Sequence, residues 1–361
     1  MKVRPPSSRI PASTAAGVAD TTSGGVAGGL VNSAFVPAWW LKDPHLQTLW
    51  PALCRLRPNV TLDRERIELA DGDFVDLDWN RGGTQRIALI LHGLEGGSRS
   101  RYARGMVAAL ERRGWRTGVL HFRGCSGSLN RLARNYHSGD TADLSFVVAH
   151  IRKRWPGAPL AIIGYSLGGN VLLKWLAEQR QAAPVVAAVA VSVPFSLADV
   201  ATRLERGASR IYQWRLLSDL KRKMRCKFKA RPLPLSLDDV ETGTTFWEFD
   251  HRVTAPLHGF ADAATYYREA SCGPVLRHIA RPTLIIHALD DPFMLESVVP
   301  AADALSPQVR MELSQKGGHV GFIGGGVPFR PRYWLEERIP RFLDDLTHPH
   351  IASAAPNDGE G

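Results

Sequence analysis

The stretch AIIGYSLGGNVLLKWL, residues 161–176, passes from a continuous apolar run into an amphipathic one, with Ser166 on the join. Gly164 and Gly168 stand two positions to either side of that serine. Leu160, Ile162 and Ile163 read as a buried strand, while Leu167, Val171, Leu172, Trp175 and Leu176 recur at helical spacing. A strand that turns abruptly into a helix strains the corner residue and projects its side chain from the top of the sheet. The residues two before and two after then approach too closely for a Cβ, which favours glycine at both. The chain has 33 glycines, so a chance Gly-x-Ser-x-Gly in a loop is the competing reading. A chance match lacks the strand before and the helix after. The pattern therefore predicts a nucleophile elbow with Ser166 as the nucleophile.

A serine hydroxyl needs a base to take its proton, and the base needs a group to orient it. On a sheet of this kind the partners follow in the order serine, acid, histidine, each just beyond a later strand. After the apolar run PTLIIHA comes LDDPFM, with Asp290 and Asp291 adjacent, and after QVRMELS comes QKGGHVGF. His319 is the expected base, since Gly317 and Gly318 free its loop to aim it. Asp291 is preferred as the acid because it precedes Pro292 and an apolar pair; Asp290 is the alternative, or a cap of the turn. The negative charge of a tetrahedral intermediate needs pre-aimed donors. The expected ones are the backbone N–H groups of Leu167, directly after the serine, and Leu94, in the HGLEGGSRS loop. A phosphate cradle competes for that glycine-rich loop, but its spacing fits neither a Walker loop nor a dinucleotide fingerprint.

From residue 86 onward, apolar strands alternate with helical patterns. RIALILHG, TGVLHF, the run before Ser166, PVVAAVAVSV, RPTLIIHA and QVRMELS supply the strands, and helices are expected over 102–113 and 141–154. The segment RERIELADGDFVDLDWN reads as a hairpin around Asp71-Gly72. Repeated strand–helix units with continuously apolar strands imply an α/β fold with a mostly parallel sheet covered on both faces. Residues 194–280 break the rhythm with helical and irregular patterns, and are expected to form a lid above the sheet. Residues 1–34, rich in Ala, Gly, Ser, Thr and Pro, and the tail 348–361 are expected to be disordered, leaving one domain over 35–347. Trp39, Trp40 and Trp50 are expected to plug an apolar surface of that domain, with a membrane interface as the alternative.

Forty-five basic against 35 acidic residues give a formal charge of +10, part of it in KRKMRCKFKAR, residues 221–231. That segment reads as a solvated basic helix, with contact to an anionic surface as the competing reading; no nucleic-acid-binding motif accompanies it. The four cysteines are scattered, without a Cys-x-x-Cys pair or metal spacing, which suits free thiols in a reducing compartment. No run reaches the roughly 18 apolar residues of a membrane span, and the N-terminal segment lacks the compact apolar core of a signal peptide. A cytoplasmic protein is expected, with peripheral membrane contact still compatible.

Taken together, LHGLEGGSRS, HFRGCSGSLNR, YHSGDTADL, GYSLGGNVLLKWL, FDHRVTAPLHGF, ALDDPFM and GGHVGFIGG resemble the α/β-hydrolase branch called AB-hydrolase family four. The branch includes bacterial YheT-type hydrolases and eukaryotic lipid-acting relatives, and the resemblance spans about residues 35–345. It implies an α/β-hydrolase fold, a triad at Ser166, Asp291 and His319, and carboxylic-ester hydrolysis with neither cofactor nor metal. Eukaryotic relatives carry an N-terminal membrane anchor that is not legible here. FRGCSG and YHSGD are also marks of the group; Arg123 and His137 within them are expected to hold loops by hydrogen bonds rather than to shape the pocket.

The expected reaction is acyl transfer to water from a small-molecule or lipid-like ester, with short- to medium-chain acyl groups. A thioesterase, lipase, phospholipase, acyltransferase or small amidase would use the same residues. Haloalkane dehalogenases and epoxide hydrolases of this fold carry a carboxylate at the elbow, so Ser166 excludes them. A non-catalytic ligand- or lipid-binding member is the rival from another class.

Overall fold

The computed structural model describes residues 28–83 and 85–347. Eleven strands occur among them: β1 (Gly29–Asn32), β2 (Leu62–Glu68), β3 (Phe74–Asn80), β4 (Ile87–Leu91), β5 (Arg116–His121), β6 (Leu160–Tyr165), β7 (Ala187–Val191), β8 (Thr283–Ala288), β9 (Val309–Ser314), β10 (Ile323–Val327) and β11 (Arg330–Tyr333). The first nine form one sheet in the order β1-β9-β8-β7-β6-β4-β5-β3-β2. Pairing is parallel from β1 across to β5, whereas β3 is antiparallel to β5 and to β2. The β2–β3 hairpin is the one expected around Asp71-Gly72, and β10 and β11 make a small hairpin of their own.

Every residue of β4, β6, β7 and β8 is buried, as a sheet covered on both faces requires. Side chains alternate between two cores because successive residues of a strand point to opposite faces. In β4, Ile87, Leu89 and Leu91 join one apolar cluster, while Ala88 and Ile90 join the other. Helices α1 (Pro44–Leu53), α2 (Arg101–Glu111), α3 (Thr141–Arg154) and α4 (Leu167–Gln179) precede the insertion. Leu144, Val147 and Ile151 of α3 and Val171, Leu172 and Trp175 of α4 pack in the first cluster. Met106, Val107 and Leu110 of α2 pack in the second. The expected helix over 141–154 has those limits, and the one expected over 102–113 runs slightly earlier.

Residues 194–280 hold helices and no strand: α5 (Leu197–Leu204), α6 (Ser209–Ala230), α7 (Leu237–Thr242), α8 (Phe246–Phe249), a π turn at Asp250–Thr254, α9 (Ala255–His258) and α10 (Ala263–Ala270). The insertion has apolar clusters of its own, one around Leu197, Ala201 and Tyr267 and another around Leu217, Met224 and Phe249. It is tied to the elbow helix by Asn170, whose amide nitrogen donates to the Ser138 and Ala270 carbonyls at 2.7 Å each. The Asn170 amide oxygen accepts from the Cys272 N–H at 2.9 Å. The last helix, α11 (Leu335–Thr347), lays Ile339 and Leu343 on the second core.

Two expectations are corrected. The stretch expected to be disordered up to residue 34 contains β1, which adds in parallel to the edge strand β9 from Gly29 to Asn32. Four residues are too few to show a period, and backbone hydrogen bonds to β9 supply what composition lacks. The remainder of that segment, like the tail from 348, lies outside the described residues. The basic stretch of α6 is not solvated throughout, because Lys223 and Lys227 are buried against the core domain. The Lys227 ammonium donates to the carbonyls of Leu132, Ala133 and Arg134 at 2.9, 3.1 and 2.9 Å. A row of carbonyls can hold a cation that no sequence period reveals.

Candidate active site

Ser166 joins β6 to α4 with φ 51° and ψ −119°, a strained conformation for a residue with a side chain. A Cβ on Gly164 would lie 2.5 Å from the Gly168 carbonyl oxygen, and one on Gly168 would lie 2.6 Å from the His92 carbonyl oxygen. These contacts explain both glycines. The corner is held in the sheet by the Ser166 N–H, which donates to the Val191 carbonyl at 2.8 Å. Of the five other non-glycine residues with positive φ among those described, Glu95, Ser192, Val320 and Phe322 belong to loops around this serine, and Arg180 ends α4.

The loop after β9 carries His319, whose Nε2 lies 2.9 Å from Ser166 Oγ and whose Nδ1 lies 2.8 Å from Asp291 Oδ2. Asp291 sits in the turn after β8, and its other oxygen accepts from the Phe293 N–H at 2.9 Å. Asp290 takes a different role, accepting from the Gly318 N–H at 3.0 Å and so bracing the histidine loop. The structure thus places Ser166, His319 and Asp291 in one hydrogen-bonded chain, with Asp290 outside it. The Phe293 ring stacks on His319 at 4.1 Å between centroids, which covers the imidazole face.

The histidine loop is also held from the N-terminal side of the chain. Thr48 Oγ1 accepts from the His319 N–H at 2.9 Å, and the Gln47 amide bonds both the N–H and the carbonyl of Ile323. Contact is close enough that a Cβ on Gly318 would lie 2.5 Å from the Pro44 carbonyl oxygen, so only glycine fits at that φ of 60°. Asp43 caps α1 by accepting from the Leu46 N–H at 2.9 Å, and Pro44 opens the helix. Trp40 packs edge to face on Trp50 of α1 at 4.9 Å, as expected, whereas Trp39, expected to plug the same surface, is exposed. The sequence offers no signal for Gln47 and Thr48, since their partners lie far along the chain.

Leu167 is the first residue of α4, where an N–H has no partner within the helix. Leu94 lies in the loop after β4, which the fully buried His92 shapes. His92 Nδ1 lies 2.7 Å from the Gly93 carbonyl oxygen, and Nε2 accepts from the Phe122 N–H at 3.2 Å. Burial drives the His92 pKa down to about 3, so this imidazole is a neutral strut. Either side of Leu94, the Gly93 N–H donates to the Tyr102 hydroxyl and the Glu95 N–H to the Tyr136 hydroxyl, both at 2.9 Å. Among the described residues, the Leu94 N–H has no partner.

Glu95 was not singled out by the sequence, although a non-glycine in a glycine-rich turn is a signal. Its Oε1 accepts from Lys223 of α6 at 2.6 Å and from the Tyr136 hydroxyl at 2.9 Å. Lys223 also lies 3.1 Å from Cys125 Sγ, whose thiol burial pushes up to about 12. The lid is therefore ionically tied to the residue following Leu94. Arg123 is buried beyond this cluster, making a bidentate bond to Asp143 at 2.6 Å on each oxygen and reaching Asp73 at 3.0 Å. It holds the hairpin turn to α3, as expected. His137 differs from that expectation in lining the cavity, while its Nδ1 accepts from the Gly139 N–H at 3.1 Å.

A cavity of about 130 Å³ opens at Ser166 and His319 beneath the insertion. Its walls include Leu197, Leu220, Met224, Phe246, Phe249 and Val253. Burial lowers the pKa of His137 to about 4 and of His258 to about 2, so both are uncharged at neutral pH. No helix among the described residues is long and apolar enough to cross a membrane.

Residues 89–325 match the family model described as alpha/beta hydrolase fold. The chain belongs to the α/β-hydrolase family. It is 46% identical over 318 residues to the "Putative esterase YheT" of Escherichia coli, covering 86% of this chain and 93% of that one, and is a YheT-type member. It is 31% identical over 339 residues to mouse phospholipase ABHD3, covering 90% of this chain and 82% of that one. Among solved structures, the Pyrococcus furiosus esterase Pf2001 matches with a TM-score of 0.52 over 81% of this chain and 99% of that one. Identity there is 16%, so that likeness concerns the fold alone.

Proposed function

We propose that this α/β hydrolase cleaves carboxylic esters through Ser166, His319 and Asp291 by way of an acyl-enzyme. The observation that carries the proposal is the continuous hydrogen-bonded chain from Asp291 through His319 to Ser166, at 2.8 and 2.9 Å. His319 takes the serine proton as Oγ attacks the ester carbonyl, and Asp291 steadies the imidazolium that results. The Leu94 and Leu167 amides are the donors for the oxyanion, preorganised in a loop and at a helix N-terminus. Protonated His319 then gives its proton to the leaving alcohol. Water, activated by the same imidazole, releases the acid and restores Ser166.

The apolar cavity under the insertion suits the acyl group, of short to medium length. A lipid-directed enzyme with the same triad is the second reading, favoured by the apolar lining and by the similarity to a phospholipase. The test is hydrolysis of p-nitrophenyl esters of graded acyl length by the wild type and Ser166→Ala, alongside fluorophosphonate labelling. We expect labelling of the wild type alone and a rate loss on the order of 10⁶-fold in the variant. A length profile that stops at short chains would favour a small-ester esterase over a lipid hydrolase. Hydrolysis that survives in Ser166→Ala, or a wild type that does not label, would remove the serine mechanism.

A further inference from the structure

A second opening also reaches Ser166 and His319. It is a cleft of about 520 Å³, and it shares Leu94, Glu95, Leu216 and Phe293 with the cavity under the lid. Its other walls come from α1, from the Gly93–Tyr102 segment and from Val320 rather than from the apolar helices of the insertion. An ester carbonyl at Ser166 carries two substituents, so two chambers meeting there can take one each.

The chemistry of this cleft is cationic. Arg57, Arg99 and Arg101 line it, and none of them makes an ion pair or hydrogen bond with a described residue. Arg101 Nε is buried without a partner. Elsewhere the buried Arg55 and Arg123 have the carboxylates of Glu336 and Asp143, and the half-buried Arg104, Arg116, Arg152 and Arg281 have backbone carbonyls as partners. The one carboxylate in the cleft wall is Glu95, already engaged by Lys223 and Tyr136. Arg104 stands close enough to Arg57 for repulsion between them, after burial, to lower its pKa, so like charges crowd here without a counter-ion. Arg101 also opens α2, and the Ser100 side chain leaves that helix end uncapped. Unpaired guanidinium forks beside free helix N–H groups are a receptor for a tetrahedral oxyanion.

We propose that this cleft is an anion subsite in which Arg57, Arg99 and Arg101 hold a phosphate carried on the alcohol part of the ester, while the acyl chain occupies the lid cavity. The proposal rests on the ester-hydrolase reading and specifies its leaving group. The acyl C–O bond breaks, the acyl group passes to Ser166 Oγ, and the phosphate-bearing alcohol leaves with the proton from His319. The phosphate ester itself is untouched.

The experiment compares kcat/KM for 1-octanoylglycerol 3-phosphate and for neutral 1-octanoylglycerol in the wild type and in Arg101→Gln, Arg57→Gln and Arg99→Gln. Arg57 and Arg99 are exposed, so their variants are informative even if Arg101→Gln folds poorly. We expect the wild type to favour the phosphate ester, and the ratio of the two values to fall roughly tenfold to a hundredfold, through KM, in the variants. A ratio that stays level, or a wild type that prefers the neutral ester, overturns the subsite. Glycerol 3-phosphate should also slow fluorophosphonate labelling of the wild type and not of Arg101→Gln; absence of that protection overturns it too. Were Ser166 not to label at all, the hydrolase reading would fail instead. Calorimetric binding of glycerol 3-phosphate, present in the wild type and lost in the variants, would still report on the arginines.

Discussion

Thr48 Oγ1 accepts the backbone N–H of His319 at 2.9 Å, across 271 positions of sequence. The same threonine donates its hydroxyl to the Pro44 carbonyl at 2.7 Å, so its orientation is set by α1. The short N-terminal helix thus holds the loop of the proposed base from one side while Asp290 holds it from the other.

Thr48→Val keeps the shape and removes the acceptor, leaving the His319 N–H unpaired. The expected result is a fall in kcat of about fivefold with KM little changed, since a hydrogen bond of this kind is worth about 1 kcal/mol. Steady-state kinetics on a p-nitrophenyl ester would check it. A raised KM at constant kcat would mean that Thr48 acts on the substrate and not on the histidine.

The adjacent aspartates should separate cleanly. Asp291→Asn should lower kcat on the order of 10⁴-fold, because the amide favours the wrong tautomer of His319. In Asp290→Asn the side-chain oxygen can still accept from Gly318, so the loss should stay below about tenfold. Equal losses in the two variants would contradict the assignment.

The Lys223–Glu95 pair joins the lid to the loop of Leu94 with both side chains largely buried. Lys223→Met should destabilise the fold by about 3–5 kcal/mol, since it strands a buried carboxylate. Glu95→Gln combined with Lys223→Met should recover most of that loss. Thermal unfolding of the two single variants and the double variant forms the cycle. A double variant no more stable than Lys223→Met would show that packing, and not charge, is what the lysine supplies.

Asp250 lies in the cavity wall, where burial raises its carboxyl to about 6 from the ordinary 3.8, against bonds from Thr254 and Tyr267 that favour ionisation. Between those two values the folded state holds a proton that the unfolded chain has released. Stability from this group is therefore full below the unfolded value and declines as pH rises through the folded one. Asp250→Asn should flatten that decline. Denaturant midpoints measured across the window would show it, and an unaltered slope would assign the dependence to other groups.

The elbow at Ser166, an aspartate pair and a histidine following later strands in that order, and the buried central strands were all legible because their signals are local. A Cβ that will not fit at Gly164, an apolar run such as Ile87–Leu91 and a helical period such as that of α3 each act within a few residues. The two adjacent aspartates differ only in which one faces His319, and that is decided by the turn after β8. The four residues of β1 need the edge of β9 to be a strand at all. Lys223 and Lys227 read as solvent-facing until the 132–134 carbonyls and Glu95 are brought beneath α6. Thr48, and Arg57, Arg99 and Arg101 with no partner among the described residues, are brought to the cleft beside Ser166 only by the packing of distant segments. Periodicity and backbone strain act along the chain, whereas pairing of charges and hydrogen bonds depends on which distant segments packing places side by side.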